Sequence, residues 1–128
     1  MDKESIQTTH APAAVGPYSQ GIKTGNLVFV SGQLGLDPLS GKLKEGGVTK
    51  QAEQALRNIE AILTAAGCSL KDVVKTTILL SSMADFAAVN SIYAEYFKEH
   101  RPARATYAVA GLPLGGLIEI EAIAALPD

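Results

Sequence analysis

Pro102-Ala103-Arg104-Ala105-Thr106-Tyr107-Ala108-Val109-Ala110, closed seven residues later by Leu117-Ile118-Glu119-Ile120-Glu121, is the stretch on which the fold turns. It reads as a β-hairpin around the loop Gly111 to Gly116, with strands that are apolar except for one arginine and two glutamates. The chain has three arginines, and Arg104 alone opens a strand headed for burial. A guanidinium there needs an anion to offset its desolvation. That anion is either a carboxylate of the protein, Glu119 or Glu121, or the carboxylate of a ligand.

Working outward, Ser5 to Thr9 reads as a short strand, followed by an irregular stretch from His10 to Pro17. Tyr18 to Lys23 and Leu27 to Ser31 read as strands joined by Thr24-Gly25-Asn26, where Gly and Asn supply the positive φ angles of a tight hairpin. From Lys50 to Ala66 the period becomes helical. Ala52, Ala55, Leu56, Ile59, Ile62, Leu63 and Ala66 form one stripe, with Glu53, Arg57 and Glu60 opposite. Thr49 is the expected N-cap and Gly67 the expected C′ residue. Val73 to Leu80 is a β-branched strand, and Asp85 to Phe97 a second helix with Phe86, Val89, Tyr93, Tyr96 and Phe97 on one side. The predicted fold is α+β, β-β-β-α-β-α-β-β, a mixed sheet with two helices on one face. Both faces of the last strand carry apolar groups, so the face without helices is expected to meet other subunits.

At 128 residues, the chain is expected to form a single domain over 1–128. No run of 18 apolar residues suggests a membrane span, and no secretory signal is read in the charged N-terminus. The single cysteine, Cys68, suits a reducing compartment, so a cytoplasmic location is expected. A net charge of −2 with scattered lysines argues against nucleic acid as a partner. His10 and His100 lack ligand spacing, and no metal or catalytic triad is predicted.

Several blocks together resemble the RidA/YjgF family of reactive-intermediate deaminases. They are Ala11-Pro12-Ala13-Ala14-Val15-Gly16-Pro17-Tyr18-Ser19-Gln20-Gly21, Val30-Ser31-Gly32-Gln33, Gln54-Ala55-Leu56-Arg57-Asn58-Ile59, Val74-Lys75-Thr76-Thr77, Asp85-Phe86-Ala87-Ala88-Val89-Asn90 and the hairpin quoted above. The resemblance implies a chorismate-mutase-like fold assembled as a homotrimer, with a ligand cleft at each subunit contact. It also implies hydrolysis of 2-imino acids, such as 2-iminobutanoate and 2-iminopropanoate, to 2-oxo acids and ammonium, without a cofactor.

On this resemblance Arg104 anchors the substrate carboxylate, a role that guanidinium geometry suits. Glu119 handles water and protons, although Glu121 shares its strand face. Burial would raise the pKa of Glu119 and a nearby arginine would lower it. Tyr18, Ser31 and Asn90 are expected around the cleft, while Gly32 lets the ligand approach the main chain. For Tyr18, Ser31 and Asn90 the competing readings are an interface ring, a strand-end hydroxyl and a helix-face amide. Thr106 stands where the family often has cysteine, which excludes thiol chemistry there and leaves a backbone contact. In the predicted hairpin Glu119 faces Ala108, about 13 Å along the strand from Arg104 at about 3.3 Å per residue. A molecule of pyruvate size cannot bridge that gap, so the two are expected to meet across a subunit boundary. The competing functions are a regulatory or chaperone-like oligomer that binds without turnover, and an endoribonuclease.

Overall fold

In the computed structural model, which describes residues 2–128, the order is β1 (Lys3–Ile6), β2 (Gly21–Thr24), β3 (Leu27–Leu34), α1 (Val48–Ala65), β4 (Val73–Leu80), α2 (Phe86–Tyr96), β5 (Ala103–Ala108) and β6 (Ile118–Ala125). The predicted element order and α+β class hold. The strands form one sheet in the order β1-β2-β3-β6-β4-β5, mixed because β4 and β5 run parallel.

β5 and β6 are not the hairpin their sequence suggests. β4 lies between them, parallel to β5 and antiparallel to β6. Apart from Lys75, the residues of β4 carry apolar or β-branched groups toward both faces, as suits a strand with neighbours on each side. α2 provides the crossover that its parallel neighbour needs. The chain then passes the end of β4, where Val109 N–H donates to Leu80 C=O (2.9 Å) and Ser81 N–H to Leu117 C=O (3.1 Å). As the outermost strand, β5 is largely exposed in the single chain, contrary to the burial its composition predicts.

The predicted stripe of α1 is its buried face: Leu56, Ile59, Ile62 and Leu63 are almost wholly excluded from solvent. Each contributes about 1.5–3 kcal/mol relative to exposure. The helix starts one residue before Thr49, because Gly46 and Gly47 both adopt positive φ and turn the chain into Val48. Gly67 is the C′ residue as predicted. Its N–H donates to Thr64 C=O and that of Cys68 to Leu63 C=O, the paired bonds of a Schellman motif. In the β2–β3 turn Gly25 alone has positive φ, the pattern of a type II′ hairpin; Asn26 is not needed for it.

Register divides the sheet into two faces. Thr76, Ile78 and Leu80 of β4, with Ala122, Ile120 and Ile118 of β6, point toward the helices. The other face carries Phe29, Ile123, Lys75, Thr77, Glu121, Leu79, Glu119 and Tyr107. Among the described residues no helix covers it, and Phe29 and Tyr107 stand exposed there.

Candidate functional site

β3 continues past its predicted end at Ser31 through a bulge. Val30 pairs with Ala122 and Gln33 with Ile120, so Ser31 and Gly32 together oppose Glu121. The bulge makes room for Glu119, whose strand neighbours are Leu34 and Leu79. A Cβ on Gly32 would overlap the Glu119 carboxylate, so this glycine accommodates a side chain of the protein itself. The carboxylate opens onto a recess of about 700 Å³ whose walls include Tyr18, Gly32, Leu34, Leu39 and Leu114. Burial, and then the charge of Glu121, push the Glu119 carboxyl above its ordinary value of 4.5. Arg104 of the same chain is not among the groups that act on it.

Tyr18 enters this recess after a tight turn, its N–H donating to Gly16 C=O (2.8 Å), and its ring is half exposed. Ser31 does not line the Glu119 recess. Its hydroxyl donates to Ser19 C=O (2.5 Å) and its N–H to Gln20 C=O (2.9 Å), fixing the segment that carries Tyr18. It borders a neighbouring hollow with Phe29, Lys75 and Glu121. Ser31 thus lies at the bulge inside β3, and its hydroxyl is occupied by the main chain of Ser19. Buried Gln20, which sequence reasoning missed, ties down the irregular N-terminal stretch. Its Oε1 accepts from Thr8 N–H, and its Nε2 donates to the carbonyls of Thr8 and Pro12. A glutamine at the inward position of a polar-looking segment carried no signal by itself.

The second group lies at the β5 edge. Arg104 pairs in register with Thr76, whose hydroxyl meets Tyr93 Oη of α2 at 2.7 Å, so Arg104 points toward the helices. Its guanidinium lies 4.8 Å from the Tyr93 ring centroid and 5.7 Å from that of Phe86, and Nη1 donates to Asn90 Oδ1 (2.7 Å). Among the described residues the ion pairs are Lys44–Asp37 and Lys50–Glu53, so Arg104 has no carboxylate partner. Thr106 lies two residues further along the same face, its Oγ1 buried without a partner.

Glu119 pairs with Leu79, three positions along β4 from Thr76, and so lies on the opposite face of the sheet from Arg104. The structure thus groups Tyr18, Gly32 and Glu119 in one place and Asn90, Arg104 and Thr106 in another. Within one chain these groups cannot share a small ligand. The separation predicted from the hairpin persists, but for a different reason: an intervening strand and a change of face.

Cys68 is buried, and burial followed by the charge of Asp72 pushes its thiol up, away from reactivity. Among the described residues no cluster of His, Cys, Asp and Glu is placed to hold a metal, and no helix is long and apolar enough to cross a membrane.

Residues 8–126 match the family described as Endoribonuclease L-PSP. A mouse protein named 2-iminobutanoate/2-iminopropanoate deaminase is 56% identical over 122 residues, covering 95% of this chain and 90% of the mouse protein. RidA from the Antarctic bacterium Psychrobacter superposes with a TM-score of 0.93 at 51% identity, over 96% of this chain and 99% of that one. The chain belongs to the RidA/YjgF family. A second solved structure, E. coli TdcF with bound serine, has a TM-score of 0.92 at 41% identity over 97% of this chain and 99% of TdcF. The resemblance read from the sequence blocks therefore holds along nearly the whole chain, and the RidA/YjgF fold is the one described above.

Proposed function

We propose that this protein hydrolyses reactive 2-imino acids, such as 2-iminobutanoate and 2-iminopropanoate, to 2-oxo acids and ammonium, at sites completed between copies of the chain. The observation that carries this reading is Arg104, an exposed guanidinium steered by Asn90 and two aromatic rings and left without a carboxylate. The name of the mouse relative supports the reaction, and the serine bound to TdcF supports a small carboxylate ligand.

The two half-sites fit a head-to-tail contact, Arg104, Asn90 and Thr106 of one copy facing Tyr18, Gly32 and Glu119 of the next. A closed homotrimer repeats that contact at each boundary, with the helix-free face turned toward neighbouring copies. Residues 1–128 act as one domain, in the cytoplasm.

Arg104 holds the substrate carboxylate through charge-assisted hydrogen bonds while the Thr106 backbone borders the ligand. C2 of the protonated imine then lies over the Glu119 recess. Glu119, as carboxylate, takes a proton from water as its oxygen bonds to C2, giving a carbinolamine. The proton passes to nitrogen, the C–N bond breaks, and ammonia leaves and is protonated in solution, while the hydroxyl becomes the 2-oxo group. Water and iminium together supply all the atoms of the 2-oxo acid and ammonium. Such imines already react with water, so orientation and one acid/base group suffice, each tenfold in rate requiring about 1.4 kcal/mol.

The test releases 2-iminobutanoate with a threonine dehydratase and follows its decay. Wild type is expected to accelerate decay and Arg104→Ala to lose at least about 100-fold in kcat/KM. Equal decay with and without the wild-type protein would sink the enzyme and leave the binding-only oligomer. RNA cleavage measured on the same two proteins examines the activity in the family's description; the net charge of −2 speaks against it.

A further inference from the structure

Leu114 lies in the loop between β5 and β6 at φ 59° and ψ 17°, the one non-glycine residue at positive φ among those described. A leucine in the left-handed region crowds its own backbone, which is why glycine and asparagine usually take such positions. Gly115, next in the chain, also has positive φ, so the turn is shaped for residues without a branched side chain. Leu114 is nevertheless 70% exposed and lies outside the core.

The loop is held in place. Pro113 to Gly116 form a tight left-handed turn closed by Gly116 N–H to Pro113 C=O (3.0 Å), and Leu117 N–H donates to Gln51 Oε1 of α1 (2.9 Å). Leu114 is thereby fixed on the wall of the recess that holds Glu119, a wall it shares with Val15 and Leu39. Those two are also almost fully exposed, at 91% and 95%. Three uncovered aliphatic side chains bordering one recess near a half-buried carboxylate form an apolar rim, and backbone strain of this kind concentrates at ligand clamps.

We propose that Leu114, with Val15 and Leu39, grips the substrate's side chain and favours 2-imino acids with branched or extended aliphatic chains over the four-carbon imine. The inference rests on the deaminase reading. With the carboxylate on Arg104 of the adjoining copy and C2 over Glu119, the side chain is the substituent left to face this rim. The recess, about 700 Å³, falls among cavities of about 300–1,000 Å³ that hold ligands far larger than a four-carbon acid. Each methylene gripped by an apolar wall is worth about 10-fold or more in selectivity.

The experiment compares kcat/KM for 2-iminobutanoate and for the leucine-derived imine, 2-imino-4-methylpentanoate, each released in situ by an amino-acid oxidase. Wild type is expected to prefer the branched imine. Leu114→Asn keeps a residue that tolerates positive φ while removing the apolar surface, and should lower the preference ratio about 5–20-fold. Leu114→Met should return the ratio to within about threefold of wild type. Turnover of both imines with a wild-type preference for the four-carbon one, or with a ratio that Leu114→Asn leaves within about twofold, overturns this inference alone. A ratio change that appears only with loss of the wild-type assembly mass does the same, by making Leu114 an interface residue. Absence of turnover of either imine by wild type overturns the deaminase reading, and this inference with it.

Discussion

Glu119 is held half-buried by the β3 bulge and the bare main chain of Gly32, with Glu121 two residues away on the same face. Within the chain both burial and the second carboxylate favour its protonated form and raise its pKa above the ordinary 4.5. If the carboxylate must accept a proton from water, activity rises with pH through that raised value. Glu121→Gln removes the second cause, and the acid limb of the kcat/KM profile should move to lower pH; an unmoved limb would mean that Glu119 does not set it. The stability consequence has a definite sign. Below the ordinary carboxyl value Glu119 is protonated in both folded and unfolded chains, and it costs the fold least there. As pH rises toward the folded value Glu119 ionises first in the unfolded chain, its contribution to stability falls, and that loss persists above it. Glu119→Gln should therefore be at least as resistant to denaturant as wild type at neutral pH while losing deaminase activity. A clear loss of stability in that variant would contradict the placement of the carboxylate. Sequence alone left burial and a neighbouring arginine as opposing influences on this residue; within one chain Arg104 lies on the other face and only burial and Glu121 act, so an opposing pull from arginine comes from the adjoining copy of the proposed assembly.

At the scale of elements, α1 carries two kinds of information. Its apolar stripe was legible because a period of 3.6 residues marks a buried face whatever packs on it. The polar positions Gln51, Gln54 and Asn58, also buried, gave no such signal. Asn58 donates to the carbonyls of Leu34 and Leu36 and accepts from Gln54 Nε2, while Gln51 accepts from Leu117 N–H. One helix edge thus pins the chain on both sides of the Glu119 recess, at the end of β3 and at the start of β6. Asn58→Ala would strand two carbonyls and should cost about 2–4 kcal/mol. Denaturant unfolding at fixed protein concentration reads that loss; a cost under about 0.5 kcal/mol would show the network to be incidental. Gln20 follows the same logic at the N-terminal stretch. In both cases an amide's partners are carbonyls distant in sequence, and nothing local announces them.

At the scale of the molecule, the decisive fact is that the acid/base candidate and the anion anchor occupy opposite faces of one sheet. Shared sites have a direct test. Arg104→Ala and Glu119→Gln chains, each inactive alone, should regain about a quarter of wild-type activity when dissociated together and reassembled, because random mixing pairs an intact arginine with an intact glutamate at about that share of head-to-tail contacts. No recovery from mixtures that demonstrably exchange chains would rule out a site built from two copies.

Element order, the α1 stripe, the Gly67 stop and the family blocks could all be read from the linear chain, since each depends on residues within a few positions of one another. Pairing between strands was not readable in this way. The quoted arginine and glutamate strands looked like hairpin partners because both are apolar and a glycine-rich loop joins them. Only the folded sheet reveals that β4, with apolar or β-branched groups on both faces, takes the place between them. Periodicity specifies which face of a strand is buried, whereas competition among all the strands for neighbours decides which one lies beside it. That competition sends Arg104 toward the helices and Glu119 to the open face.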